Sequence, residues 1–289
     1  MNDVATSHSE FLQVRGLRYH VRRWGDPAAP RIFLLHGFLD CSATWVDVAL
    51  ALAPRFHVVA PDMRGFGETQ WTNTDYWFPD YVADLDAIVR QFSPTEPLRL
   101  VGHSMGAQIA SLYAGLRPER VHKLVILDGL FLPDMPAERA PRRFRKWLEQ
   151  VIAPPQQKYY ASYEELAERV RKKHPQLSVG RSLFVARGWG RKEADGRISL
   201  CADPMHRMDG PGLYRAAESV AIWKEITAQT LFVDAAKSLF AHIITKEEKA
   251  MRRACFRSLQ EVTIEDAGHM LNFDAPVATA KAIAEFLSS

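Results

Sequence analysis

One serine of this chain has neighbours that could make it a nucleophile. Ser104 stands at the centre of a Gly-x-Ser-x-Gly pattern, between Gly102 and Gly106. An apolar run over residues 98–101 predicts a buried strand before it, and residues 107–116 predict a helix after it. The order of strand, sharp turn and helix is the setting in which a serine is held exposed on a strained turn, ready to attack a carbonyl carbon. The helix N-terminus behind the serine favours an anion that forms there.

A serine hydroxyl is a weak nucleophile and requires a base within hydrogen-bonding distance. His269 is the candidate base, since it follows the last predicted strand, and the glycine before it permits a loop that folds back over Ser104. Three other histidines are predicted to have other roles. His103 adjoins the serine and is expected to pack, His36 is expected to be a structural hydrogen-bonding residue, and His206 has no partner that the sequence identifies.

Predicted strands and helices alternate on both sides of Ser104. Residues 11–14 and 17–24 predict a hairpin, and further strands are predicted at residues 31–35, 56–60, 98–101, 121–127, 230–233 and 261–264. Helices are predicted at residues 43–52, 81–92, 107–116, 246–256 and 276–287. The strands after the hairpin are apolar on both faces, which is typical of a parallel sheet covered by helices on both sides. The paired acids Asp84 and Asp86 are interpreted as a solvated helix face.

The character of the chain changes after Asp128. Residues 130–224 contain 18 Lys and Arg against 11 Asp and Glu, whereas the whole chain has a net charge of only +3. Charged helical stretches and Pro or Gly breaks fill this segment, and no buried strand is evident in it. We therefore predict a core made of residues 1–129 and 225–289, interrupted by a basic helical cap over residues 130–224.

The composition favours a globular protein of the cytoplasm. The chain has 289 residues, a hydrophobic share of 47%, and no apolar run near the ~20 residues that span a bilayer. Residues 1–10 are polar and lack the apolar stretch of a signal peptide. Cys41, Cys201 and Cys255 are widely spaced, so neither a disulfide framework nor a zinc site is expected. No metal-ligand spacing and no glycine-rich dinucleotide loop is present, so the chemistry is expected to need no cofactor and no metal.

Four short segments stand in a characteristic order along the chain. They are His36-Gly37-Phe38, residues 61–67, residues 102–106, and Ala267-Gly268-His269. In this order they resemble the alpha/beta-hydrolase superfamily over nearly the whole core. Residues 36–40, Leu127-Asp128 and Arg187-Gly188 are similar, more narrowly, to its serine hydrolase-like subgroup. The resemblance implies an α/β fold with a mostly parallel eight-stranded sheet flanked by helices, and with an inserted helical cap.

The resemblance supports His269 as the base and leaves two carboxylates as candidates for the acid. The superfamily most often carries the acid in a Gly-x-x-Asp segment after the strand at residues 230–233, where this chain has Ala235-Ala236-Lys237-Ser238. Some members carry it after the strand that follows the elbow helix, where Asp128 stands. We predict that Asp128 orients the imidazole and stabilises its cation, with Asp234 as the alternative acid.

The resemblance also assigns the oxyanion hole to the backbone N–H groups of Phe38 and Met105. The expected reaction is cleavage of a carboxylic ester in two steps through an acyl-enzyme on Ser104. The alternative substrate is a thioester, including one carried by CoA or an acyl carrier. Because the usual Gly-x-x-Asp acid is absent, a weakly catalytic or non-catalytic small-ligand-binding protein on the same fold is the alternative of another class.

Aromatic and basic residues of the predicted cap bear on the substrate. Six tryptophans lie in the cap or on core loops that could face it: Trp147, Trp189, Trp223, Trp45, Trp71 and Trp77. They could wall a pocket for an apolar or aromatic acyl group, or pack the cap onto the core. The basic clusters at residues 142–146 and 171–173 could attract an anionic substrate or an acyl carrier, or form solvated helix faces. Nucleic-acid binding is not expected, because acidic residues are interleaved with the basic ones and no known binding module is present.

Overall fold

The structure is a computed structural model that describes residues 7–72 and 74–289. Residues 1–6, on which the expectation of a polar N-terminus partly rests, lie outside the described residues, as does Asn73. No helix in the described ranges combines the length and the apolar character needed to cross a bilayer. The same residues contain no group of three or more His, Cys, Asp or Glu side chains that could hold a metal ion.

An eight-stranded sheet forms the centre of the fold, which confirms the predicted fold class. The strands in chain order are β1 (His8–Val14), β2 (Leu17–Trp24), β3 (Arg31–Leu35), β4 (His57–Pro61), β5 (Leu98–His103), β6 (Val121–Leu127), β7 (Tyr159–Tyr160), β8 (Gly190–Lys192), β9 (Ile198–Leu200), β10 (Gln229–Ala235) and β11 (Leu259–Ile264). The order in the main sheet is β1-β2-β4-β3-β5-β6-β10-β11. Strand β2 is antiparallel to both β1 and β4, and the other neighbours are parallel. The parallel strands therefore all direct their following loops to one edge.

Helices cover both faces of this sheet. They are α1 (Val46–Leu52), α2 (Phe78–Phe92), α3 (Met105–Leu116), α4 (Ala140–Ile152), α5 (Tyr163–Lys173), α6 (Val179–Trp189), α7 (Ala216–Trp223), α8 (Lys246–Arg253), α9 (Leu271–Asp274) and α10 (Pro276–Ser288). In β3, Phe33 and Leu35 belong to the core layer shared with α2 and α3. Ile32 and Leu34 belong to the layer shared with α1 and α10. Successive side chains of a strand point to opposite faces, so a sheet buried on both faces accounts for this continuous apolar run.

The chain between β6 and β10 includes the predicted cap, residues 130–224, which we call the inserted segment. It contains four helices and also a small antiparallel sheet in the order β7-β9-β8. The sequence does not predict this small sheet, because its strands are only two or three residues long. Leu166 of α5, Val185 of α6 and Ile198 of β9 pack with Phe273 of α9 in a third hydrophobic cluster. This packing joins the inserted segment to the core just after His269. The boundaries of the cap at residues 130 and 224 stay a prediction.

The interpretation of Asp84 and Asp86 as a solvated helix face is wrong for Asp84. Asp84 is fully buried, and Arg64 donates to its two carboxylate oxygens at 2.6 and 2.8 Å. The hydroxyl of Tyr19 also donates to it. A buried carboxylate requires such partners, and here they join the N-terminal hairpin, the loop after β4 and α2. Asp86 is partly exposed and pairs with Arg90 one turn later.

Candidate active site

Ser104 occupies a strained turn between β5 and α3. Its φ of 52° and ψ of −112° lie in a region that residues other than glycine rarely adopt. A β-carbon on Gly102 would lie 2.3 Å from the carbonyl oxygen of Gly106, and one on Gly106 would lie 2.2 Å from that of Leu35. Both positions therefore require glycine, because no real β-carbon contact is so short. The turn places Ser104 at the edge of the sheet where the parallel strands end.

His269 lies within hydrogen-bonding distance of Ser104. Its Nε2 is 3.0 Å from Ser104 Oγ. The histidine lies in the turn between β11 and α9, so the last strand of the sheet brings it back to the serine. Its side chain is only 14% exposed. The separation is within the range over which a proton passes between a hydroxyl and an imidazole.

Asp128 holds the other ring nitrogen of His269, with Oδ2 2.6 Å from Nδ1. It directly follows β6, has a φ of 40°, and is almost fully buried. Its carboxylate also accepts hydrogen bonds from the backbone N–H of Ala235 at 3.3 Å and from the hydroxyl of Ser238. Ser238 stands where the superfamily most often has its acid. In this chain its hydroxyl instead donates a hydrogen bond to Asp128. Three donors, from His269, Ala235 and Ser238, therefore converge on this buried carboxylate and fix its position.

The structure does not bring Asp234 to His269. Asp234 accepts from Lys249 Nζ at 3.0 Å and from Arg253 Nη2 at 2.6 and 2.7 Å, both on α8. Val233 pairs with Leu127 in the register of the two strands, so Asp234 and Asp128 follow at neighbouring positions. Asp234 is still part of β10, and its side chain is directed to α8. The alternative acid is therefore in a structural ion-pair cluster.

The segment after β3 passes directly beside Ser104. A β-carbon on Gly37 would lie 3.2 Å from Ser104 Cβ. His36 fixes this segment, because its Nε2 accepts from the backbone N–H of Met63 at 2.9 Å. Its Nδ1–H therefore donates to the carbonyl oxygen of Gly37, 2.8 Å away. His36 thus has the structural hydrogen-bonding role expected of it, and Phe38 follows immediately.

Phe38 and Met105 are the two residues whose N–H groups the sequence assigns to an oxyanion hole. Met105 is the first residue of α3, so no carbonyl of that helix faces its N–H. Phe38 follows the glycine that packs on Ser104. The two backbones therefore approach the serine from β3 and from α3. Their role as oxyanion donors is taken up as a proposal below.

His103 supports the site in a way that the sequence does not reveal. It is fully buried, and its Nε2–H donates to the backbone carbonyl oxygen of His269 at 2.7 Å. A β-carbon on Gly37 would lie 2.8 Å from its Nδ1, so the ring also packs on the segment after β3. Burial lowers the pKa of His103 well below its ordinary value, so the ring is neutral. His103 therefore packs as expected, and it also fixes the backbone of His269, the candidate base.

Two aromatic side chains give the site an apolar rim. The ring of Phe240 stacks on His269 with 4.1 Å between centroids, and Phe240 is 44% exposed. Phe38 is 48% exposed and makes an edge contact with Phe66. An apolar substituent that approached Ser104 would therefore meet aromatic surface on entering.

His206 joins the inserted segment to the core beside Phe38. Its ring lies between Phe66 and Tyr76, with 3.7 Å between centroids on each side. It also makes an edge contact with Phe38 at 6.2 Å. The Tyr81 hydroxyl is 3.2 Å from its Nδ1. These partners come from core loops and from α2, more than 100 residues earlier in the chain, which explains why the sequence indicated none.

The His206 stack predicts a loss of stability in mild acid. Burial lowers the pKa of His206 from 6.5 to about 3, so the folded chain binds fewer protons than the unfolded chain between these values. Stability contributed by the neutral ring is therefore complete above pH 6.5 and falls as the pH drops towards 3. His206→Phe keeps an aromatic ring that cannot be protonated, so urea unfolding should show a smaller stability difference between pH 7 and pH 5. Other buried histidines such as His57 remain in the variant, and an unchanged difference would contradict the prediction.

The tryptophans do not form one wall. Trp45 and Trp223 are fully buried in the core layers, so for these two the packing interpretation holds. Trp189 Nε1 donates to Asp40 Oδ1 at 2.7 Å, two residues after Phe38. Trp147 Nε1 donates to Asp75 at 2.8 Å. Two of the three tryptophans of the inserted segment, Trp147 and Trp189, are thus tied to core loops.

Comparison with known proteins places the chain in one fold family. Residues 30–276 match the family model of the alpha/beta hydrolase fold. An uncharacterized protein of Mycobacterium tuberculosis is 34% identical over 129 residues, which are 45% of this chain and only 37% of that relative. The serine hydrolase-like protein of Danio rerio is 25% identical over 273 residues, 91% of this chain and 83% of the relative. The thioesterase domain from the curacin biosynthetic pathway superposes with a TM-score of 0.85 and 26% identity, covering 96% of this chain and 99% of that domain.

Proposed function

The chain belongs to the alpha/beta hydrolase fold family, and on this basis we propose that it is a serine hydrolase that cleaves a carboxylic ester through an acyl-enzyme. The observation that carries the proposal is the hydrogen-bonded series from Ser104 through His269 to Asp128, with separations of 3.0 and 2.6 Å. Nucleophile, base and orienting acid in this arrangement are the parts that acyl transfer requires.

In the first step Ser104 Oγ attacks the acyl carbon of the ester while His269 Nε2 accepts the hydroxyl proton. The carbonyl oxygen takes up the electron pair of the C=O double bond and becomes an oxyanion. When the C=O bond re-forms, the bond to the leaving alkoxide breaks, and His269 gives its proton to that oxygen. The products of this step are the free alcohol and an ester between the acyl group and Ser104.

In the second step water replaces the alcohol. His269 Nε2 takes a proton from the water as its oxygen attacks the acyl carbon, and then returns a proton to Ser104 Oγ as the acyl-enzyme ester breaks. The carboxylic acid leaves and the serine is restored. Water is the only co-reactant, so this route uses neither a metal ion nor an organic cofactor.

Asp128 keeps His269 in the tautomer that can accept the serine proton. Its carboxylate accepts from Nδ1–H, which leaves the Nε2 lone pair directed at Ser104. When His269 is protonated during each step, the buried carboxylate stabilises the imidazolium at 2.6 Å. The donors from Ala235 and Ser238 hold the carboxylate in place while this charge forms and disappears.

The oxyanion is proposed to be held by the N–H groups of Phe38 and Met105. Gly37 packs on Ser104 and His36 fixes the carbonyl of Gly37, so the backbone at Phe38 is already rigid before substrate binds. The N-terminus of α3 adds its partial positive charge at Met105. Preorganised donors need no rearrangement during reaction, and one such donor is typically worth about 3 kcal/mol of barrier.

The aromatic rim favours an ester with an apolar or aromatic acyl group. Phe240 covers one face of His269, and Phe38 stands exposed next to the proposed oxyanion donors. The structural likeness to a thioesterase domain favours a thioester as the second candidate substrate. Both reactions use the same acyl-enzyme and differ in whether an alcohol or a thiol leaves.

Covalent labelling with a fluorophosphonate probe tests the proposal. We expect stoichiometric labelling of the wild-type chain and none of Ser104→Ala, because only a base-assisted serine attacks the phosphorus centre at a useful rate. Turnover of p-nitrophenyl esters of graded chain length, with one thioester included, then identifies the acyl preference. A chain that binds such esters but neither labels nor turns them over would be a ligand-binding protein on the same fold.

A further inference from the structure

Helix α4 is attached to the rest of the chain by its polar side. Arg143 Nε donates to two carbonyl oxygens of the segment at residues 209–212, at 2.6 and 3.0 Å. Gln150 exchanges hydrogen bonds with Asp209 of the same segment. Trp147, between them along the helix, is tied to Asp75. None of the 13 residues of α4 is buried, so these polar contacts hold the helix in place of an apolar core.

The apolar side of α4 is exposed. We call Phe144, Leu148, Val151 and Ile152 the α4 stripe; they are 49%, 53%, 51% and 85% exposed. Their spacing of four, three and one residues puts them on one face of the helix. An amphipathic helix of a globular protein normally buries such a face and exposes its polar side. The reverse orientation marks the α4 stripe as a surface for an apolar partner.

Helix α4 also carries uncommitted positive charge. Arg142 and Arg145 are exposed, and neither forms an ion pair with any described residue. Glu149 is the one acid within α4. The inserted segment as a whole, residues 130–224, has seven more basic than acidic residues. A partner for this helix therefore has an apolar interior and a negatively charged surface.

The same end of the molecule carries a second group of exposed apolar side chains. Leu239, Phe240 and Ile243 are 84%, 44% and 46% exposed, in the turn that follows β10. Phe240 stacks on His269, so this group borders the opening to Ser104. The segment containing α4 leaves the sheet after β6, the strand next to β10, and therefore at the same edge. Exposed apolar surface and the proposed active site thus share one end of the fold.

We infer that the α4 stripe docks on the surface of an anionic lipid bilayer. The four apolar side chains would enter the boundary between headgroups and acyl chains, and Arg142 and Arg145 would contact lipid phosphates. The stripe is a linear ridge on an exposed helix, and a fluid bilayer accepts a ridge without a complementary groove. Docking is independent of the chemistry at Ser104, and it would turn the active-site end of the fold towards lipid.

Vesicle co-sedimentation tests the inference, with phosphatidylcholine vesicles prepared with and without phosphatidylglycerol. The chain is expected to sediment with the anionic vesicles at low salt, and far less with neutral vesicles or at high salt. Leu148→Ser with Ile152→Ser should weaken partitioning by at least about tenfold, because two apolar anchors are lost. Arg142→Gln with Arg145→Gln should remove the preference for anionic vesicles.

Matched controls separate docking from other effects. Val277→Ser removes an 80% exposed apolar side chain from α10 and should leave vesicle binding unchanged. Ser104→Ala should bind vesicles like the wild type, so a failure of the proposed chemistry and a failure of docking are distinguishable. Three results overturn the inference. They are equal binding by the Leu148/Ile152 variant, binding to a purified acidic acyl carrier protein with no binding to vesicles, and variants that change only KM for soluble long-chain esters.

Discussion

Replacement of Ser104 by alanine is expected to lower kcat for ester hydrolysis by on the order of 10⁶-fold, the loss typical when a serine nucleophile is removed. Without Oγ no acyl-enzyme forms, and His269 can only assist direct attack by water. KM should change little, because Oγ contributes to bond formation in the transition state rather than to ground-state binding. The measurement is the initial rate with the best p-nitrophenyl ester, at enzyme concentrations high enough to detect the residual reaction.

His269→Ala is the matched partner of this variant. Nucleophile and base act as a unit, so His269→Ala alone and the double variant should each lose about as much activity as Ser104→Ala. Thermal unfolding of Ser104→Ala should stay near that of the wild type, because alanine keeps the β-carbon and therefore the same backbone strain at φ 52°. A Ser104→Ala chain that kept more than about a hundredth of the wild-type kcat would show that another group is the nucleophile.

The turn at Ser104 is the part of the site that local sequence predicts best. Gly102 and Gly106 are needed because a β-carbon at either position would collide with backbone atoms. The Gly-x-Ser-x-Gly pattern therefore reflects a steric requirement of the turn. The continuous apolar run of β3 likewise records burial on two faces of the sheet. Where a residue type is required by its immediate neighbours, the sequence carries the information that predicts the structure.

The choice between Asp128 and Asp234 needed geometry. Both follow or end neighbouring parallel strands, one register position beyond the pair of Leu127 and Val233. The sequence places both at the correct edge of the sheet but does not tell which side chain turns inwards. The positive φ of Asp128 directs its carboxylate to His269, while α8 supplies two cations to Asp234.

Contacts between distant segments account for what sequence patterns did not predict. The spacing of Asp84 is that of an exposed helical face, yet Arg64 and Tyr19 from other segments bury it. His206 gains its partners only when the inserted segment folds onto the core loops. The strands β7, β8 and β9 have only two or three residues each, too few to show an alternation of apolar and polar residues in the sequence. Each of these features depends on tertiary packing that overrides the local preference.

Replacement of Asp128 by asparagine is expected to lower kcat by roughly 10⁴-fold, the loss typical when the orienting acid of a serine triad is made an amide. The backbone N–H of Ala235 would keep the amide oxygen as its acceptor, which turns the amide N–H₂ towards His269 Nδ1. Nδ1 would then accept a hydrogen bond, and the ring proton would move to Nε2. In that tautomer His269 has no lone pair for the Ser104 proton, so both chemical steps slow. The measurement is kcat at a pH well above the ordinary histidine pKa.

Asp234→Asn is the matched control, because it makes the same change in charge one register position away on the neighbouring strand. It weakens the ion pairs with Lys249 and Arg253, which are partly exposed, so a stability loss of about 1 kcal/mol or less is expected. Its kcat should stay within about threefold of the wild type, since Asp234 has no contact with His269. The reverse outcome, a large loss in Asp234→Asn and an active Asp128→Asn, would move the acid to β10. In that case the 2.6 Å contact between Asp128 and His269 would be structural only.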